Sequence, residues 1–118
     1  MKVSVDGKSM YAIHCNWFPP KGYRAITIGN VMFYRGDRNL PDYVIRHELI
    51  HWQQEKECLI IFFYLLYVWE FILLFLYVWN WHFAYRSISF ENEAYTYQHC
   101  IGYLRIRKHY TWRHMTDE

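Results

Sequence analysis

Pro41-Asp42-Tyr43-Val44-Ile45-Arg46-His47-Glu48-Leu49-Ile50-His51-Trp52-Gln53-Gln54-Glu55-Lys56-Glu57 is the stretch on which the reading of this chain turns. It predicts a helix from about 41 to 57. No Gly or Pro occurs between Asp42 and Ile101, Asn39 is a plausible N-cap, and Pro41 fits a first helical turn, where its missing N–H costs nothing. On that helix His47 and His51, four residues apart, lie one above the other on one face.

The pattern His47-Glu48-Leu49-Ile50-His51 is HExxH. Two neutral imidazoles at this spacing can aim at one ion, and imidazole suits tetrahedral zinc. Glu48, beside the pair, can take a proton from a metal-held water and pass it to a leaving amine. The plain alternative is two surface histidines with an incidental Glu. Context favours the metal, because a hairpin signal and a helix start precede the motif.

Working back from the helix, the chain reads as strands and turns. All three prolines and four of the five glycines lie before residue 42. Val3 and Val5 alternate with polar residues up to Asp6-Gly7, a hairpin signal, and Met10 to Phe18 form a second strand-like run. Pro19-Pro20-Lys21-Gly22 turns the chain, and Ala25 to Ile28 and Val31 to Tyr34 flank the turn signal Gly29-Asn30 before Gly36 to Asn39 leads out. The expectation is a small antiparallel sheet over residues ~3 to 35 packed on the 41–57 helix.

A catalytic zinc needs a third protein ligand and an open position. Glu91, in Phe90-Glu91-Asn92-Glu93-Ala94-Tyr95, Glu93 on another face of the same segment, and Glu70, 19 residues after His51, all compete. Glu91 and Glu93 could instead complement a helix dipole, and Glu70 could be a buried, paired carboxylate. The motif followed by Glu91-x-x-Ala94 resembles the gluzincin metallopeptidases. The likeness is strongest to CaaX-prenyl-protease-like and antibiotic-sensor-type peptidases and to small zincin-like proteins, and it covers roughly residues 25 to 98. The resemblance implies zinc held by His47, His51 and Glu91, with Glu48 as base. Tyr95 stands where that pattern has Asp supporting a histidine. The spacing to Glu70 is that of the thermolysin and aminopeptidase branch, although Trp69 replaces its usual Asn. Tyr95, Gln54 and Glu55 are candidates for steadying ligands or an oxyanion.

Leu59 to Trp79 is apolar at 20 of its 21 positions, Glu70 being the exception, and nine of the 21 are Phe, Tyr or Trp. As one helix it would be ~31 Å long, enough to span a bilayer. A single crossing would separate His51 from Glu91. A straight helix from His51 to Asn80 would run ~43 Å, beyond the ~37–40 Å reach of the return to Glu91. The chain should therefore reverse within the stretch, or the metal be held without Glu91. Buried core helices, or a hairpin dipping into a membrane interface, are expected, with a homo-oligomer or a membrane surface as cover.

The 118 residues suit one domain, 1–118. Apolar residues at 53% exclude a disordered chain, and a net charge of +2 gives no bulk argument for nucleic acid. Cys15, Cys58 and Cys100 form no CxxC pair, and Met1 to Gly7 lacks a signal-peptide run, so a reducing, cytoplasmic setting is expected, at most peripheral to a membrane. Ser89 to His109 reads as one amphipathic helix capped by Ser87 or Ser89, ending in a basic tail of Arg105, Arg107, Lys108 and Arg113. Arg46 and Arg86 have no assignable role. The sequence thus predicts a single α+β domain of minimal zincin type. Zinc-dependent hydrolysis of a peptide or protein substrate is the leading function, with extended substrate adding to an edge at Ala25 to Ile28 or Val31 to Tyr34. The alternative is a non-catalytic accessory subunit with a zinc staple or relic site, docking through 59–79.

Overall fold

Asp6 and Gly7 both take left-handed backbone angles, φ 56° and 79°, the geometry a two-residue hairpin turn requires. They fold β1 (Lys2–Val5) antiparallel onto β2 (Lys8–His14) in the computed structural model, which describes residues 1–17, 19, 22–36 and 39–115. Gly29, at φ 62°, does the same for β3 (Ala25–Ile28) and β4 (Val31–Tyr34). The two hairpins join through β2 and β4 in parallel, with Tyr11 opposite Val31 and His14 opposite Tyr34. The sheet order is β1-β2-β4-β3, so the sheet is mixed, not wholly antiparallel as the sequence suggested. The connection after His14 carries the chain past β4, and β3 becomes an end strand. β4 is paired on both sides and cannot take an added strand, which leaves Ala25–Ile28 as the candidate edge. The predicted second strand stops at His14. Phe18, Pro20, Lys21, Asp37 and Arg38, parts of the expected strand and turns, lie outside the described residues.

Alternation decides which residues of the sheet meet the helices. Met10 and Ala12 of β2 and Met32 and Tyr34 of β4 are buried against Ile45, Leu49 and Ile50 of α1 (Asp42–Glu57). Pro41 is itself the N-cap of α1, with φ −62° and ψ 152°, and its carbonyl accepts from the Val44 and Ile45 amides. Asn39 therefore does not cap, because the proline's fixed φ already sets the entry. α1 lies between the sheet and α4 and is buried on most sides, polar residues included. Arg46 donates from Nε to Asp6 Oδ2 at 2.9 Å and from Nη1 to the Gln98 carbonyl at 2.9 Å, and Asp6 Oδ1 accepts from the Gly102 amide at 2.8 Å. One arginine thus braces the first hairpin to the C-terminal helices.

The apolar stretch begins with its reversal. Leu59 and Ile60 take φ 57° and 59°, and the chain folds back as α2 (Ile61–Val78), a single helix ~27 Å long. Helix α2 does not break at Glu70 and is not a core helix, because only Phe63 is buried along it. Trp79 (φ 55°) ends it, and Asn80 Oδ1 accepts from the Phe83 amide at 3.0 Å to cap α3 (Trp81–Ser87). The expected Ser89–His109 helix is instead α4 (Ser89–Tyr97), α5 (Tyr103–Ile106) after Gly102 at φ 83°, and a single 3-10 turn at Thr111–His114. Ile88 is the N-cap of α4, and Ser89 serves it differently: its amide and hydroxyl donate to the two Glu70 oxygens at 3.2 and 2.7 Å.

Glu55 is fully buried where α1, α2 and the β3–β4 turn meet. Its Oε1 accepts from the Gly29 amide at 2.9 Å and the Tyr64 hydroxyl at 2.7 Å, and its Oε2 has no partner. Burial outweighs both hydrogen bonds and raises the carboxyl from an ordinary 4.5 to about 7. The native state therefore keeps a proton that the unfolded chain has lost, and stability falls as pH rises from near 4.5 to 7. Urea titrations should show Glu55→Gln removing a decline of about 2–3 kcal/mol over that window. Equal slopes for the two chains would refute this assignment.

Candidate metal centre

The helical spacing of His47 and His51 brings their Nε2 atoms within 3.2 Å of each other, and Glu91 Oε1 from the first turn of α4 is 3.2 Å from each. Donors bound at ~2.0–2.1 Å around a tetrahedral ion lie ~3.3 Å apart. The triangle has that size, and all three residues are buried.

Gln54 Nε2 donates to the Phe90 carbonyl at 3.0 Å and to Glu93 Oε1 at 2.9 Å. The amide is thereby fixed, with Oε1 2.9 Å from His51 Nδ1. An amide oxygen only accepts, so His51 Nδ1 carries hydrogen and its Nε2 lone pair faces the centre. His47 repeats the arrangement, with Nδ1 2.8 Å from Gln98 Oε1 while the Gln98 nitrogen faces His99. Two lone pairs and a carboxylate oxygen thus converge, an arrangement that repels unless a cation sits among them. The donor set fits zinc. Without metal a proton fills the role. Burial resists charging His51, but Glu91 at 3.2 Å prevails and raises the ring to about 10. Burial likewise opposes ionising Glu91, and the two imidazoles prevail and hold it well below the usual carboxylate range.

Glu91 is turned by its other oxygen, which accepts from the Tyr67 hydroxyl of α2 at 2.6 Å. Glu48 Oε1 accepts from Thr27 Oγ1 of β3 at 2.7 Å, leaving Oε2 3.9 Å from His47 Nε2. The structure brings His47, His51, Glu48 and Glu91 together and holds the two other candidate ligands elsewhere. Glu70 caps α4. Glu93 accepts from Arg107 Nε at 2.5 Å, the Tyr103 hydroxyl at 2.8 Å and Gln54. Gln54 is the support of His51, while Glu55 serves Gly29 and Tyr64. Tyr95 stands edge-on to His47 with ring centres 4.6 Å apart, under the Arg86 guanidinium at 3.8 Å. Thr27, Tyr67 and Gln98 were missed from the sequence. Gln98 alone had a signal, since it falls seven residues after Glu91, whereas nothing local marks the other two.

The centre opens into a mainly apolar cavity of about 400 Å³ between β3, α2 and α3, walled by Ile26, Phe63, Tyr67, Phe71 and Trp81. A second, more polar cleft of about 490 Å³ meets it at His47, Glu48, Ala25 and Tyr85 and extends to Arg24, Tyr43, His82 and Tyr95. Fully buried structural zinc sites close on four protein ligands, whereas three ligands beside a cleft leave a position open.

Zinc must displace the His51 proton, so affinity should climb about tenfold per unit between about pH 6 and 8. Titration calorimetry measures this, and a flat profile would count against the geometry. Gln54→Leu, which frees the ring to turn, should weaken zinc ~10–100-fold.

No protein-family model matches the chain, and neither a curated protein nor a solved structure is significantly similar to it.

Proposed function

We propose that this chain is a zinc-dependent peptide hydrolase of the HExxH gluzincin type, with His47, His51 and Glu91 as ligands and Glu48 as general base. One observation carries the reading: a donor triangle with fixed tautomers has a carboxylate beside it whose second oxygen is 3.9 Å from a ligand nitrogen and makes no hydrogen bond among the described residues. Bound zinc supplies the positive charge that polarises a peptide carbonyl and makes water acidic near neutral pH.

The remaining steps belong to the chain's own residues. Thr27 fixes Glu48 Oε1, so Oε2 is free to accept a proton from water and deliver it to the departing nitrogen. Tyr67 keeps the Glu91 carboxylate from swinging away. The end strand Ala25–Ile28 offers backbone groups to an extended peptide running past Thr27 and Glu48. The apolar walls favour a bulky apolar side chain next to the bond being cut.

Glu48→Gln keeps the shape and removes the base. Zinc affinity should stay within about twofold, while turnover of a peptide mixture, followed by mass spectrometry, should fall ~10²–10⁴-fold. Zinc-loaded wild-type protein that cleaves nothing in that mixture would instead make the ion a structural staple.

A further inference from the structure

We propose that the outward face of α2 lies on an anionic lipid bilayer as a one-sided, in-plane anchor, an inference independent of the catalytic reading.

The inner and outer faces of α2 differ in kind. Inward, Tyr64 reaches Glu55, Tyr67 reaches Glu91 and Glu70 reaches Ser89, each by a hydrogen bond from 2.6 to 2.7 Å. Outward, Phe62, Leu65, Trp69, Leu73 and Leu76 follow one another at three- and four-residue steps, all exposed, so they form one stripe along the helix. The helix's one charged residue, Glu70, is turned inward, and Tyr77, Trp79 and Trp81 stand exposed at the far end. Rings of that kind settle at the boundary between acyl chains and headgroups. The inner face is tied to the metal centre by polar bonds, so the helix meets lipid on one side only. That is the pattern of an interfacial element, not a crossing one.

The distribution of charge selects the occupant. The whole chain carries +2, and among the described residues the two signs are segregated. Among the described residues the acids are withdrawn into the fold, and Asp42 alone is exposed, whereas Lys8, Lys56, Arg86, Arg105, Lys108 and Arg113 are exposed. Three of these cations, Lys56, Lys108 and Arg113, stand near the N-terminal end of α2. Lys56 is in the last turn of α1, just before the reversal, and feels the charge of Lys8. Trp112, beside Arg113, packs into the cluster of Phe63 and Phe90, and Arg86 is on α3, which packs on α2. A second copy meeting this face would bring two sets of like charges together. Anionic headgroups accept the cations while the acyl chains take the stripe.

Flotation of the full chain with vesicles tests this. The chain should float with phosphatidylcholine–phosphatidylserine vesicles, more weakly with phosphatidylcholine alone, and less as salt rises. Leu65→Glu with Trp69→Glu should abolish flotation while the far-UV circular dichroism spectrum, which reports the fold, is unchanged. Lys56→Gln, Lys108→Gln and Arg113→Gln should each weaken binding to the anionic vesicles about fivefold. No flotation with either vesicle would overturn the proposal, whether light scattering then shows a monomer or a stable dimer. So would flotation that ignores both sets of substitutions.

Discussion

The hydrogen bond that Gln54 accepts from His51 is the constraint on which the site rests. Its amide nitrogen is taken by the Phe90 carbonyl and Glu93, so only its oxygen remains for His51. That oxygen fixes the ring's proton on Nδ1 and turns a lone pair towards His47 and Glu91. Glu93 is in turn held by Arg107, whose guanidinium also grips Glu57 with two bonds of 2.8 and 3.0 Å. A buried pair of this kind is expensive to desolvate and strongly destabilising to break from one side. The residues after α4 therefore do more than fill space: they wrap back to the end of α1 and hold the residue that supports His51.

Helix α2 joins the interior to the surface. Tyr67 aligns Glu91 from one side of it, Phe63 and Phe71 wall the cavity, and the opposite side is an unbroken apolar stripe. A displacement of α2 would move Tyr67 from the Glu91 carboxylate and reshape the cavity in one step. The sheet contributes the other half of the cleft. Because β4 is enclosed between β2 and β3, the end strand beside it is β3, and the same strand supplies Thr27 to Glu48.

Local signals were legible in the sequence. Ala25–Ile28 and Val31–Tyr34 are marked by Gly29-Asn30, the first hairpin by Asp6-Gly7, and α1 by the absence of breakers. HExxH marks two of the three residues of the His47–His51–Glu91 cluster through helical periodicity alone. Long-range choices were not legible. The parallel pairing of β2 with β4 depends on a crossover that leaves no composition signal. The reversal at Leu59 and Ile60 uses two bulky residues in left-handed geometry where glycine would ordinarily announce a turn. Glu70, Glu91 and Glu93 look alike as letters. Their tasks, a helix cap, a donor and an ion pair, are assigned by partners at least ten residues away in the chain. The predicted C-terminal helix stops at Tyr97, five residues before Gly102, which instead caps the start of α5.

The most direct measurement is an anomalous difference map at the zinc absorption edge from crystals of the full chain soaked in zinc. The account predicts one strong peak per chain about 2 Å from His47 Nε2, His51 Nε2 and Glu91 Oε1. A peak seated on other residues, or none at saturating zinc, would contradict it.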